Sequence, residues 1–184
     1  MNPALVTKVR ARFGAYRKDT AGLLRFARND GYEKKFITNF LSGLESDNKD
    51  LNYYLNLWCG IKQLKKPHIT AMQHVIGTEI DLQNILWTYR LKKFYGIFGD
   101  TTYGFLVPVR HRLTTDVFLR MVSSQNAAGM QTILSDTIYR DVFGDFSDAQ
   151  KSLTNAVKAR YRAEGRRSYI ALLCEFLYEV TYDS

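Results

Sequence analysis

The stretch Gly77 to Tyr95, GTEIDLQNILWTYRLKKFY, decides how this 184-residue chain is read. Wound as an α-helix at about 100° per residue, it places Ile80, Trp87, Leu91 and Phe94 along one stripe and Leu82, Ile85 and Tyr89 roughly opposite. Two narrow polar seams run between them, one carrying Glu79, Gln83 and Arg90, the other Asp81, Thr88 and Lys92. A surface helix needs only one apolar face, so a helix with two is expected to lie between packing partners. Thr78 followed by Asp81 resembles a capping box, and Glu79 and Asp81 suit a partially positive helix N-terminus. A bend or restart at Gly77 is therefore expected, after a helix already begun at Pro67. Arg90, Lys92 and Lys93 suit the opposite end, and Gly96 and Gly99 offer stopping points.

Before this stretch the pattern is also helical. Leu5, Val9 and Phe13 recur at four-residue spacing in Ala4 to Tyr16, amid Lys8, Arg10 and Arg12, which predicts a basic amphipathic helix. A second helix, capped by Asp19 or Thr20, carries Leu23, Leu24 and Phe26. Tyr32 to Leu44 turns Phe36, Ile37, Phe40 and Leu41 inward, and Ser46 or Asp47 suits a cap for the helix Leu51 to Lys65. The buried stripe of that helix is expected at Leu51, Leu55, Trp58 and Ile61, widened by Tyr54 and Leu57. Proline at position 67 suits the first turn of the next helix.

After it, Phe98 to Leu113 is the least helical part of the chain, punctuated by Gly99, Gly104 and Pro108. Its apolar residues, Tyr103 and Phe105 to Val107, are expected to tuck against the core. Thr114 or Thr115, Asn126, and Ser147 with Gln150 mark three further helix starts. Gly165 closes the helix Ala149 to Ala163, and an apolar helix from Tyr169 ends the chain. No sustained period-two alternation appears. The predicted fold is all-α: two helical lobes of short amphipathic helices packed around long apolar helices. The lobes are expected at residues 1–98, ending in the central helix, and 99–184.

The central pattern, Glu79-Ile80-Asp81-Leu82, Asn84-Ile85, Tyr89-Arg90, Lys92 and Tyr95, resembles the rotary V-type ATPase subunits called C in prokaryotes and d in eukaryotes. Asn52-Tyr53-Tyr54-Leu55 with Leu57-Trp58 is similar to the preceding helix in that family, and Leu106-Val107-Pro108 with Arg112-Leu113 to the segment that follows. The opening Asn2 to Arg12, ALVTKVRA in part, resembles its N-terminal helix. Members of the family are longer and hold three related lobes, so the resemblance implies a shortened member. It also implies a non-catalytic central-stalk subunit, joining the membrane rotor ring to the central shaft in proton or sodium transport. The implied partners are those rotor and shaft subunits, which would hold the chain at the cytoplasmic membrane face.

Composition is consistent with that and narrows the alternatives. No run of about 18 apolar residues is available to span a bilayer, and Lys8, Arg10 and Arg12 stand where a signal peptide needs apolar residues. A cytosolic location is expected. Cys59 and Cys174 are far apart in apolar helical contexts and read as buried free thiols. The net charge of +8, from 26 basic and 18 acidic residues, admits an anionic partner, whether nucleic acid, an acidic protein surface or anionic headgroups, and equally serves solubility alone. A basic helical nucleic-acid-binding module is the alternative. It needs exposed stacking aromatics on a basic face, whereas most aromatics here fall in predicted core stripes.

No chemistry is assembled by the motifs. His68 and His74 do not share a helix face, so no metal pair is expected, and no glycine-rich phosphate loop with a following Lys and Ser or Thr is present. Glu79 and Asp81 point about 200° apart on a helix and cannot act on one substrate atom. No catalytic residue, cofactor or small-molecule substrate is expected. Asn84 falls in the stripe of Ile80, Trp87 and Leu91, where an unpaired amide costs about 1–3 kcal/mol, so it is expected to bond the backbone of an adjacent helix or loop. Arg90, Lys92 and Lys93 are the candidate subunit-interface residues, suited to a partner's acidic helix. Glu79, Asp81, Asn84, Tyr89 and Tyr95 form the structural motif.

Overall fold

Pro67 lacks an N–H and has a fixed φ, so a helix can begin just after it. In the computed structural model, which describes residues 31–45, 49–144 and 146–182, helix α3 does begin there and runs unbroken from His68 to Arg90. It follows α1 (Gly31–Glu45) and α2 (Leu51–Ile61). A π-helical turn, Leu91–Tyr95, extends α3, and then come α4 (Asp100–Tyr103), α5 (Thr115–Ser123), α6 (Ala127–Leu134) and α7 (Arg140–Phe143). The helices α8 (Ala149–Gly165) and α9 (Tyr169–Tyr182) complete the order. Among the described residues there is no strand. The helices expected over Ala4 to Tyr16 and around Leu23 to Phe26 lie outside the described residues, as do Ser46 and Asp47.

Local capping explains most of the helix starts. The Asp50 carboxylate accepts the Tyr53 N–H at 2.8 Å and so caps α2, a role expected of Ser46 or Asp47. Thr114 caps α5 through the Val117 N–H, and Asn126 caps α6 through the Gly129 N–H at 2.7 Å. Ser168 Oγ accepts the Ala171 N–H in the first turn of α9.

The expectation of long apolar helices at the centre is overturned. The longest helix, α3, is enclosed from Val75 through Leu86, yet it buries Thr78, Glu79, Asp81, Gln83, Asn84 and Thr88 among its apolar residues. The 17-residue α8 is amphipathic, with Lys151, Asn155 and Arg162 exposed, and the most apolar helix, α9, is only 14 residues long. No helix among the described residues is long and apolar enough to cross a membrane. Short helices packed on one another make the core.

The chain divides into two compact units, residues 1–72 with 161–184, and residues 73–160. In the first, α1 packs against α2 and α9. Phe36, Phe40, Tyr54, Leu57, Ile61, Tyr161 and Tyr178 are buried there, with Phe40 meeting Tyr161 edge to face at 6.2 Å. The Tyr53 ring occupies the space a Cβ at Gly43 would fill, which brings α1 and α2 close. The α2 stripe is turned from its expected setting: Tyr53, Tyr54, Leu57 and Ile61 are buried, while Leu51, Leu55 and Trp58 are half-buried. Cys174 is buried as expected but Cys59 is exposed; both are free thiols.

In the second unit, α5 packs against α4 and α6. Its core includes Ile80, Leu82, Ile85, Leu106, Val107, Phe118, Met121 and Met130. Of the Phe98 to Leu113 segment, Leu106 and Val107 are buried but Phe105 is 52% exposed. Tyr103 stands edge-on to Phe118 with ring centroids 5.4 Å apart.

Candidate functional site

The polar residues of the central motif turn inward and fasten α3 to the loop that follows α4. Asn84 Nδ2 donates to the Val107 carbonyl at 3.0 Å, and its Oδ1 accepts the Val107 N–H at 2.9 Å. A side-chain amide thus replaces the backbone partner that Val107 lacks in an irregular segment. Further along the same loop, Asp81 takes over. Its carboxylate accepts the N–H groups of His111 (3.0 Å), Arg112 (2.7 Å) and Leu113 (3.1 Å), and the Tyr139 hydroxyl at 2.8 Å. Four donors offset the desolvation of a carboxylate that has no exposed surface. Burial, followed by the Asp81 charge and hydrogen bond, pushes the Tyr139 phenol upward, so it stays a donor.

Glu79 and Asp81 therefore do not cap a helix start, because Gly77 lies inside α3. The His111 ring covers Gly77 so closely that a Cβ there would meet its Cγ at 2.6 Å. Thr78 Oγ1 donates back to the His74 carbonyl at 2.6 Å, as a threonine inside a helix does. Glu79 is buried as well. The two carboxylates do not converge on a common point of chemistry.

At its C-terminal end the helix loosens into the π-helical turn Leu91–Tyr95, closed by Gly96 in the left-handed conformation (φ 61°). Lys92 is drawn inside: its Nζ donates to the carbonyls of Val122 (2.8 Å) and Ser124 (2.5 Å) and sits 5.3 Å from the Phe98 ring centre. Burial lowers its pKa. Lys93, Phe94 and Tyr95 face outward instead, Phe94 being 69% and Tyr95 72% exposed. Phe94 was expected in the buried stripe, and the change of helical repeat from Leu91 onward is what rotates it out. Arg90 is half-buried and donates to Gln150 Oε1 at 3.3 Å, while Tyr89 stacks on Phe146 with centroids 4.0 Å apart.

Two further polar groupings escaped sequence reasoning. His74 and His111 bring their rings to 5.5 Å, and burial lowers the His111 pKa against the pull of Asp81. In the other unit His68 Nδ1 lies 2.9 Å from Ser168 Oγ, its ring edge-on to Tyr169, whose hydroxyl donates to the buried Glu33. Burial lowers the His68 pKa while Glu33 raises it. Ser168 is 2% exposed and serves as a helix cap, so it does not present a nucleophile to a substrate. Among the described residues no group of three or more His, Cys, Asp or Glu side chains is placed to hold a metal ion. The only sequence clue to Lys92 was its seam, shared with Asp81 and Thr88, both of which are also buried.

The motif is thus an internal fastening with an exposed turn at its end, a geometry suited to holding shape and meeting a partner. A family model described as ATP synthase (C/AC39) subunit matches residues 30–170. The chain belongs to that family. No curated protein and no solved structure matches the chain. As a member of the ATP synthase (C/AC39) subunit family, the chain is a non-catalytic central-stalk subunit of the V/A-type rotary ATPases. The fastening at Asp81 and Asn84 is consistent with such a part. Torque through a stalk requires packed helices that keep their register, and it requires no reacting side chain.

Proposed function

We propose that this chain joins the membrane rotor ring to the central shaft of a rotary ATPase, in proton or sodium transport. On this reading it is held at the cytoplasmic face of the membrane through its partner subunits. The interface centres on Arg90, Lys92 and Lys93, with Lys92 acting from inside. Lys92 anchors the π-helical turn to the carbonyls of Val122 and Ser124, and Lys93, Phe94 and Tyr95 are offered outward by it. That pairing of a rooted turn with exposed aromatic and basic side chains is the observation that carries the proposal. Isolated exposed aromatics need no explanation, but Tyr95 and Phe94 stand side by side on a turn whose cation is internally satisfied.

The test is native purification of the tagged chain from its own host, with mass spectrometry of what accompanies it. Rotor-ring and central-shaft subunits are expected in stoichiometric amounts, and they should be lost with Lys93→Glu. Recovery without either class of subunit, together with a salt-sensitive shift of nucleic acid on a gel, would replace this reading by the nucleic-acid-binding one.

A further inference from the structure

Beside the exposed turn lies a cleft of about 400 Å³ whose lining mixes an aromatic floor with cations. Tyr89 and Phe146 stack at its base at a centroid distance of 4.0 Å and an interplanar angle of 12°, and Phe143 continues the stack behind Phe146 at 4.9 Å. Phe94 forms one wall, with most of its ring in solvent. Arg90 and Lys151 line the cleft against one described acidic side chain, Asp148. Phe146 holds a left-handed backbone conformation (φ 64°), which is uncommon for a bulky residue and directs its ring into the stack.

We infer that this cleft receives an acidic segment of a partner protein, a single aromatic side chain entering between Phe94 and the Tyr89–Phe146 stack while flanking carboxylates meet Arg90 and Lys151. The inference rests on the central-stalk reading only in taking the partner to be a protein. The cleft's volume is in the range of about 300–1,000 Å³ that ligand sites occupy, with room for one large side chain. Tyr89 and Phe143 cover both faces of the Phe146 ring, so an entering ring meets the stack edge-on, an arrangement that aromatic pairs also favour, and such anchors carry most of the affinity of small interfaces. The two cations and the chain's charge of +8 select the sign of the flanking residues. The Arg90 guanidinium is held by a neutral amide, Gln150, which a carboxylate can displace without breaking an ion pair.

The probe is a fluorescein-labelled peptide, Asp-Glu-Asp-Trp-Glu-Asp, titrated with the full chain by fluorescence anisotropy. Binding is expected, weakened at least tenfold by Phe94→Ala and by Arg90→Glu with Lys151→Glu. It should be unchanged by Lys62→Glu, which alters charge at a residue that does not line the cleft. A peptide with Ala in place of Trp should bind at least tenfold more weakly. Equal binding of the two peptides, or binding indifferent to Phe94→Ala, would mean generic charge attraction and overturn the inference. So would an absence of peptide binding, or binding only of phosphatidylserine vesicles added in its place. Circular dichroism of each variant establishes that it is folded. The two readings fail separately: if rotor and shaft subunits co-purify with the wild-type chain while the peptide binds Phe94→Ala as well as the wild type, the cleft inference falls alone. If no such subunit co-purifies while the peptide binds as described, the rotor-and-shaft proposal falls and the cleft stands.

Discussion

Asn84 and Val107 are joined twice, the side-chain amide both donating to the Val107 carbonyl and accepting its N–H, at 3.0 and 2.9 Å. The pair is buried, so neither backbone group has water to fall back on. Asn84→Leu adds apolar surface but leaves both groups unpaired. The expected outcome is a loss of about 1–3 kcal/mol in urea unfolding. An unchanged or raised melting temperature would show that the loop does not depend on this residue.

Gly77 and His111 make a second coupled pair. A glycine inside a helix usually gains about 1 kcal/mol on replacement by alanine. Here the new methyl would strike the His111 ring at 2.6 Å, near its attachment to the backbone and not at a flexible tip. Gly77→Ala should therefore destabilise by about 1–3 kcal/mol, the usual range for overpacking. In a His111→Ala background the same change should stabilise. A double-mutant cycle by chemical unfolding measures the reversal.

Burial holds the His111 imidazole below the usual histidine value of 6.5; Asp81 pulls it up, and His74, Arg112 and Arg160 push it further down. A histidine with a lowered folded pKa binds protons less readily in the folded chain than in the unfolded one. Its contribution is complete above about pH 6.5 and is lost as the pH falls below that value. The His68 shift, set first by burial and opposed by Glu33, acts in the same direction. Unfolding free energy should fall as the pH drops below about 6.5, and fall less in His111→Asn. Equal pH dependence in the two proteins would remove His111 from the account.

Lys92 and Lys93 are neighbours with opposite surroundings. Lys92→Glu puts a carboxylate against the carbonyls of Val122 and Ser124 and should lose about 3 kcal/mol or more. Lys93 is exposed, so Lys93→Glu should stay within about 0.5 kcal/mol of the wild type. Melting temperatures of the two variants, measured side by side, check this.

The helical character of the chain could be read from its periodicity, and the caps at Thr114 and Asn126 from residue type alone. The enclosure of α3 followed from its two apolar sides, and a backbone partner for Asn84 followed from an amide set in one of them. What could not be read was which backbone. Val107, His111, Arg112 and Leu113 are loop positions whose N–H groups leave no mark in the sequence. Gly77 was ambiguous for the same reason, since a glycine that admits a histidine ring looks like one that breaks a helix. The π-helical turn shifts every side chain after Arg90 by part of a turn, so Phe94 and Lys92 exchanged their expected surroundings. Periodicity extrapolated at a constant angle has no means of registering that shift.

The central claim, that the turn at the end of α3 meets the rotor or the shaft, is tested most directly by photo-crosslinking in the host. Benzoylphenylalanine is placed at Tyr95, and for comparison at Tyr32, which is also exposed. The account predicts a crosslink from position 95 to a rotor-ring or central-shaft subunit, abolished by Lys93→Glu. An assembled complex in which position 95 crosslinks to neither, or crosslinks to nucleic acid, would contradict it.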